Sequence, residues 1–231
     1  FNHLKSLTNK GIMFGHQDST FYGYQWTNIG PEGIQYKDRS DLKDVCGHLP
    51  ATMGFDLGGL EIKSDKNLDG VPFKYQREEI LLHHNRSGII TFSWHPRNPA
   101  NDQDAWNTQG EPVRKILPGG ELNEKFKGWL NLLIDYFKTI KDQQGQPIPF
   151  IFRPWHEMNG GWFWWGNSAC TTDEYKSLYT YTYNYITSVG QLNNILWAYS
   201  PNSGSNSEQD FMKYFPEGDF IKMIGSDIYY A

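Results

Sequence analysis

FIFRPWHEMNGGWFWWG, at Phe150–Gly166, is the stretch from which the fold can be read. Its apolar entry predicts a buried strand over Ile148–Trp155, because a near-continuous hydrophobic run of this length suits a parallel strand covered on both faces. The carboxyl end of that strand delivers Arg153, His156 and Glu157 ahead of four aromatic residues, Trp162–Trp165. Just beyond, Thr171 and Glu174 have capping-box spacing and open a Tyr-rich helix over Thr172–Ser188. The segment is therefore one βα unit with its polar and aromatic chemistry on the loop after the strand.

The same unit recurs outward in both directions. Further strands are expected at Gly11–His16, Ala51–Asp56, Gly88–His95, Asn194–Ser200 and Ile221–Tyr229, six in all. Helices are expected at Tyr36–Cys46, Phe73–Arg86, Glu121–Lys141 and Ser207–Tyr214 as well. In Glu121–Lys141 the residues Leu122, Phe126, Trp129, Leu133, Phe137 and Ile140 recur every three or four positions, the stripe of an amphipathic helix. Connections after strands are long (Gln17–Gln35, Leu57–Pro72, Pro96–Gly120, His156–Thr171), whereas those from helix to strand, such as Gly47–Pro50, are short. That asymmetry is the mark of a (β/α)8 barrel, whose active site is built from the loops at the carboxyl ends of its strands. An open doubly wound sheet is the rival, but no Gly-rich phosphate loop follows any strand. The expected fold class is α/β, a (β/α)8 TIM barrel present as about its first six βα units, with residues 1–231 a single catalytic domain lacking strands seven and eight.

Composition narrows the function. The 231 residues carry a net charge of −5, so no basic surface for nucleic acid and no polybasic membrane anchor is expected. No run approaches the roughly 18 apolar residues of a membrane span. The chain begins at Phe1 without a leader, from which an export signal is expected to have been removed and the location to be secreted, periplasmic or cell-surface. Fourteen Phe, 14 Tyr and 9 Trp exceed what a core needs and point to a groove that stacks flat or C–H-rich ligands, with sugars favoured by the acidic balance. Cys46 and Cys170 show no metal spacing, and on opposite rims they are expected to be unpaired.

Glu157 is the candidate catalytic carboxyl. Glycoside hydrolysis needs one carboxylic acid to protonate the leaving oxygen and a second carboxylate across the anomeric carbon. The aromatic company of Glu157 would desolvate it as the first role requires, while an ordinary salt bridge to Arg153 is the plainer reading. No cofactor and no metal are expected, since His156–Glu157 lacks the second His of a zinc protease helix. Asp227 and Asp56 are expected to close strands six and two and to reach the rim, Asp227 with a supporting role more natural than a catalytic one, and Asp18 to be a capping or structural carboxylate. His83 and His84 are expected to be solvated or half-buried outside the barrel, and the Tyr175–Tyr185 stripe to be packing. Asn85–Ser87 is a glycosylation sequon only in a eukaryotic secreted protein.

Several blocks taken together resemble glycoside hydrolase family 26, of the clan of retaining (β/α)8 glycosidases, and most of all its β-mannanases. These are FGHQD at Phe14–Asp18 with Tyr22–Gly23 and Trp26, PATMGFDL at Pro50–Leu57, and SWH at Ser93–His95 with Asn98–Pro99. They continue as RPWHEMNGGWFWWG at Arg153–Gly166, LWAYSPN at Leu196–Asn202, and the run from Phe215 to Tyr229. The resemblance implies Glu157 as acid/base, with His95, Arg153 and His156 lining the subsite of the sugar whose bond is cut. It implies that Trp162 stacks on sugar, that Tyr229 hydrogen-bonds the nucleophile, and that this nucleophile is a Glu on a seventh strand beyond Ala231. The implied substrate is β-1,4-mannan or its oligosaccharides. A non-catalytic carbohydrate binder, a β-1,3-xylanase and a mixed-linkage glucanase stay open as alternatives.

Overall fold

The computed structural model describes residues 2–7, 10–30, 33–34, 38–204 and 207–229. Six parallel strands form one sheet: β1 Gly15–Gln17, β2 Thr52–Asp56, β3 Ile89–Ser93, β4 Phe150–Arg153, β5 Ile195–Tyr199 and β6 Ile221–Ile224. Each pairs with its neighbour in sequence, giving the order 1-2-3-4-5-6. A doubly wound sheet reverses direction at a switch point, so the consecutive order belongs to the barrel. Among the described residues β1 pairs only with β2, and β6 only with β5.

Strand register explains how buried strands carry polar chemistry. Phe55 pairs with Phe92, Phe92 with Phe152, and Phe152 with Trp197, so one row of aromatic side chains crosses the sheet. Phe92 and Phe152 pack on Phe137 of the helix Asn123–Lys138 at 5.8 and 5.3 Å between ring centres, so this row faces the helical layer. The next row is Asp56, Ser93 and Arg153, themselves in register. Successive residues of a strand point to opposite faces, and this polar row therefore turns away from the helices.

The helices follow their apolar stripes. Helix α1 is Asp41–Cys46, α2 Phe73–Asn85, α3 Asn123–Lys138, α4 Thr172–Ser188 and α5 Glu208–Met212. In α3 the predicted Phe126, Trp129, Leu133 and Phe137 are buried, together with Leu130 and Ile134. The capping box of α4 is formed, with the Thr171 hydroxyl accepting from the Glu174 N–H and the Glu174 carboxylate from the Thr171 N–H. Its tyrosines are packing: Tyr175 and Tyr179 are fully buried and donate to the carbonyls of Trp155 and Ala198 at 2.8 and 2.7 Å.

Some boundaries differ from the sequence reading. The first strand is Gly15–Gln17 only, and the stretch before it leaves Ile12 and Phe14 exposed. The sixth stops at Ile224 after a register shift between Ile221 and Met223. The first helix starts at Asp41, where the Ser40 hydroxyl accepts from the N–H groups of Leu42 and Lys43. The expected residues 36–37 lie outside the described residues. Short helices at Asn2–Ser6 and Pro112–Ile116 and two small hairpins within 22–34 were not expected. His83 is a correction: it is buried, its ring lying against Gly88 where any side chain would collide with it. Cys46 and Cys170 are both free thiols.

Candidate active site

At the carboxyl ends of the strands lies a cleft of ≈ 600 Å³ that collects His95, Arg153, His156, Glu157, Trp162 and Tyr229 from three separate segments. Gln17, Tyr22, Asp56, Asp69, Ser93 and Trp106 complete much of its wall. All six residues singled out in the sequence therefore share one cavity.

Glu157 is placed by an unusual turn. Beyond β4, Trp155 and Glu157 both adopt φ of 55°, a left-handed conformation uncommon for residues with a side chain. The turn is held from several sides. The Glu157 N–H donates to the Ser200 carbonyl at 2.8 Å, which ties it to the end of β5. Trp155 is wedged against Trp94, Trp164 and Trp165, and its indole N–H donates to Thr182 of α4. Trp164 and Trp165 are buried and donate to the carbonyls of Pro96 and His156. Of the aromatic cluster, then, Trp162 and Phe163 face the cleft while Trp164 and Trp165 support the loop from behind.

Glu157 as a residue is 5% exposed. Oε2 accepts from the Trp162 indole at 2.8 Å. Among the described residues Oε1 is buried without a hydrogen-bond partner, and the Tyr229 phenol stands close to the carboxylate. Burial, and then Glu157, push the Tyr229 phenol up. The ion-pair partner of Arg153 is Asp227, at 2.8 Å, rather than Glu157. Asp227 Oδ2 also accepts from Ser200 Oγ at 2.8 Å, so this carboxylate orients Arg153. It lies past the end of β6, bridged to Asn202.

A second chain of contacts starts at Asp56. Its Oδ2 accepts from Ser93 Oγ at 2.7 Å and pairs with His95 Nδ1 at 2.6 Å, while Oδ1 accepts from the Gly58 N–H at 2.7 Å. Burial by itself would raise this carboxyl, but His95 and the two donors hold it below the usual carboxylate range. His95 Nε2 lies 3.1 Å from His156 Nε2. Burial first, then Arg153 and His95, push the His156 pKa well down, so the ring is neutral. Its Nδ1 has no partner among the described residues. With the carboxylate holding His95 Nδ1–H, one proton serves both facing nitrogens, and the two rings are locked as a unit.

Trp106 and Asp69 were missed in the sequence. Trp106 is half exposed and stacks on His95 at 5.6 Å with 9° between planes. The Asn98 amide, which donates to the carbonyls of Asn107 and Gln109, folds the Trp106 loop. Its placement in the long loop after strand three was the available signal. A recess of ≈ 460 Å³ shares Leu68, His95 and Trp106 with the main cleft. Asp18 is buried and caps no helix. Among the described residues no group of three or more His, Cys, Asp or Glu side chains is placed to hold a metal ion.

Across residues 1–231 the chain matches the family described as Glycosyl hydrolase family 26. It belongs to that family. Relatives include a mannan endo-1,4-beta-mannosidase of Bifidobacterium adolescentis, 32% identical over 99% of this chain and 22% of its own length. A protein of the same description from Bacillus subtilis strain 168 is 26% identical over 99% of this chain and 61% of its own. Among solved structures, a family 26 beta-mannanase of Bacteroides ovatus superposes with a TM-score of 0.92 at 39% identity, covering 99% of this chain and 64% of that one. The catalytic domain of a Bacillus sp. JAMB-750 endo-beta-1,4-mannanase gives 0.88 at 33%, covering 98% and 59%. The chain thus spans less than two thirds of the length of each of these relatives.

Proposed function

We propose that the chain carries the acid/base half of an endo-acting, retaining glycoside hydrolase that cleaves β-1,4-mannosidic bonds. The observation that supports it is Glu157 in an aromatic-walled cleft with one oxygen engaged and the other free. Trp162 N–H occupies Oε2, so Oε1 is the atom that holds the proton, gives it to the leaving oxygen, and later takes one from water. The relatives named for mannan favour that polymer over the other β-glycans.

Retention needs a second carboxylate roughly 5–5.5 Å away. Asp227 is committed to Arg153 and Asp56 to His95, and the family resemblance implies that the second carboxylate is a Glu on a seventh strand outside these residues. In this reading His95, His156 and Arg153 hold the hydroxyls of the sugar being cut, Trp162 stacks on a ring, and Tyr229 steadies the second carboxylate. A polymer that cannot enter a cell sets the location as secreted, periplasmic or cell-surface.

The test is Glu157→Gln in the complete protein. Turnover of mannan should fall about 10²–10⁴-fold, the usual worth of a general acid. Mannooligosaccharide binding should persist, and the first step on an aryl mannoside with a good leaving group should be spared. Near-native mannan turnover would sink the assignment. Binding without turnover in the unaltered protein would favour a carbohydrate binder.

A further inference from the structure

We propose that Asp18 is a positioning residue, an uncharged buried carboxyl group that fixes the Tyr22 phenol in the cleft wall, and that its ionisation at alkaline pH weakens substrate binding. The proposal rests on the reading of this cleft as a mannan site.

Asp18 stands immediately after β1 with φ of 47°, and its N–H donates to the Gly54 carbonyl of β2 at 2.9 Å. Its carbonyl accepts from the Phe21 N–H at 2.9 Å, closing a tight turn around the buried Phe21. One residue later Tyr22 enters the cleft wall. The turn therefore sets the distance between the Asp18 carboxyl and the Tyr22 ring before any ligand arrives. The Tyr22 hydroxyl donates to Asp18 Oδ2 at 3.3 Å.

Among the described residues the Tyr22 hydroxyl is the one hydrogen-bond donor to this carboxyl, and its surroundings otherwise disfavour a negative charge. The residue is 0% exposed, and among the described residues Oδ1 has no hydrogen-bond partner. The titratable groups facing it are Tyr22 on its own loop, Asp56 at the end of β2, Asp69 on the loop that follows, and Tyr136 from α3. Two of these are carboxylates and two are phenols. An isolated carboxylate buried beside like charges gives up its charge. Burial first, then Asp69 and Asp56, push the Asp18 carboxyl up to about 8. Burial and then Asp18 raise the Tyr22 phenol as well, so it remains a hydrogen-bond donor.

Loss of the Asp18 proton would place a third negative charge beside Asp56 and Asp69. Asp56 is the carboxylate that holds His95, and Asp69 and Tyr22 both line the cleft. The expected result is weaker binding above pH 8, with the chemistry at Glu157 left alone.

The experiment measures binding of mannohexaose to the complete protein carrying Glu157→Gln, so that neither turnover nor the Glu157 proton contributes. Between pH 7 and 9.5 affinity should fall about tenfold. Adding Asp18→Asn, which keeps a neutral oxygen acceptor, should abolish most of that fall. Asp18→Ala should bind more weakly already at pH 6, and Asp18→Asn should rescue it. An equal alkaline loss with Asp18→Asn would overturn the proposal. Thermal unfolding from pH 5 to 9 reads the same proton without any sugar. The Asp18 pKa is raised in the folded state, so its contribution is present at low pH and lost as pH rises through about 8. Tm should decline over that window more steeply with Asp18 than with Asn. Parallel Tm curves would overturn the proposal, whereas diverging curves with no mannohexaose binding in any variant would instead overturn the mannan reading. Should Asp18→Asn fail to fold, Tyr22→Phe must weaken mannohexaose binding at pH 6, and unchanged affinity there would equally refute the strut.

Discussion

Asp56 shows how a single carboxylate organises the cleft without reaching its centre. One oxygen is shared between Ser93 and His95, the other is held by a backbone N–H, and the paired imidazoles carry the orientation on to His156. Asp56→Asn keeps the shape but puts a neutral group where His95 Nδ1–H expects a charge. A hydrogen bond to a charged partner is worth about 1.5–3 kcal/mol, so kcat/KM on mannan should fall roughly 10- to 100-fold. Steady-state kinetics alongside a circular dichroism melt checks this, and an unaltered kcat/KM would show that the histidines are held by packing alone. Glu157, Arg153 and His156 were legible in the sequence because a buried strand ending in charged residues is unusual. The division of labour among the carboxylates was not: Arg153 and Asp227 are 74 residues apart, and no local pattern links them.

At the scale of elements, the helices were the more legible. The α4 helix has the boundaries expected from its cap, and the α3 stripe is buried as its period required. Thr171→Ala removes the hydroxyl that accepts from Glu174 and should cost about 1 kcal/mol, within the 0.5–2 kcal/mol usual for such caps, measured by urea unfolding. The α2 helix was read less well, because a weak stripe did not reveal that His83 faces inward. Burial first, then Arg86, lower its pKa below the ordinary 6.5. The ring is neutral when folded, so the stability it contributes is present above pH 6.5 and lost as pH falls through its lowered folded value. Unfolding free energies at pH 7.5 and 5.5 should therefore differ more for the unaltered protein than for His83→Gln, and equal differences would place the acid sensitivity elsewhere. Edge strands were overread at both ends of the sheet. Strand length depends on pairing partners as much as on local preference.

For the whole molecule, the consecutive strand order leaves β1 and β6 each with one unpaired side among the described residues. Ile12 and Phe14 near the first edge, and Ile224 and Ile228 near the last, are exposed. Unpaired parallel edges with apolar side chains invite association. Residues 1–231 expressed alone should therefore melt at lower temperature and associate more than the complete protein, and should release no reducing sugar from mannan. Size-exclusion chromatography, calorimetry and a reducing-sugar assay test this together. A monomeric, cooperative and active 1–231 would require a second carboxylate from within these residues, and Asp227 would be the one to examine first.

By itself the sequence determined the alternation of strand and helix, the rim that carries the long loops, and the residues Glu157, His156, Arg153, His95, Trp162 and Tyr229. The alternation, the rim and the strand end carrying Arg153, His156 and Glu157 follow from local pattern, from hydrophobic period, cap spacing and loop length, whereas His95, Trp162 and Tyr229 follow from the family resemblance of blocks spread along the chain. Only the tertiary structure decided that Arg153 pairs with Asp227, that Asp56 holds His95, that Trp106 joins the wall, and that the buried Asp18 lies within the electrostatic reach of Asp56 and Asp69. Those contacts arise where strands far apart in sequence come into register, and the energy of a buried charge depends on neighbours that only the folded sheet brings within reach.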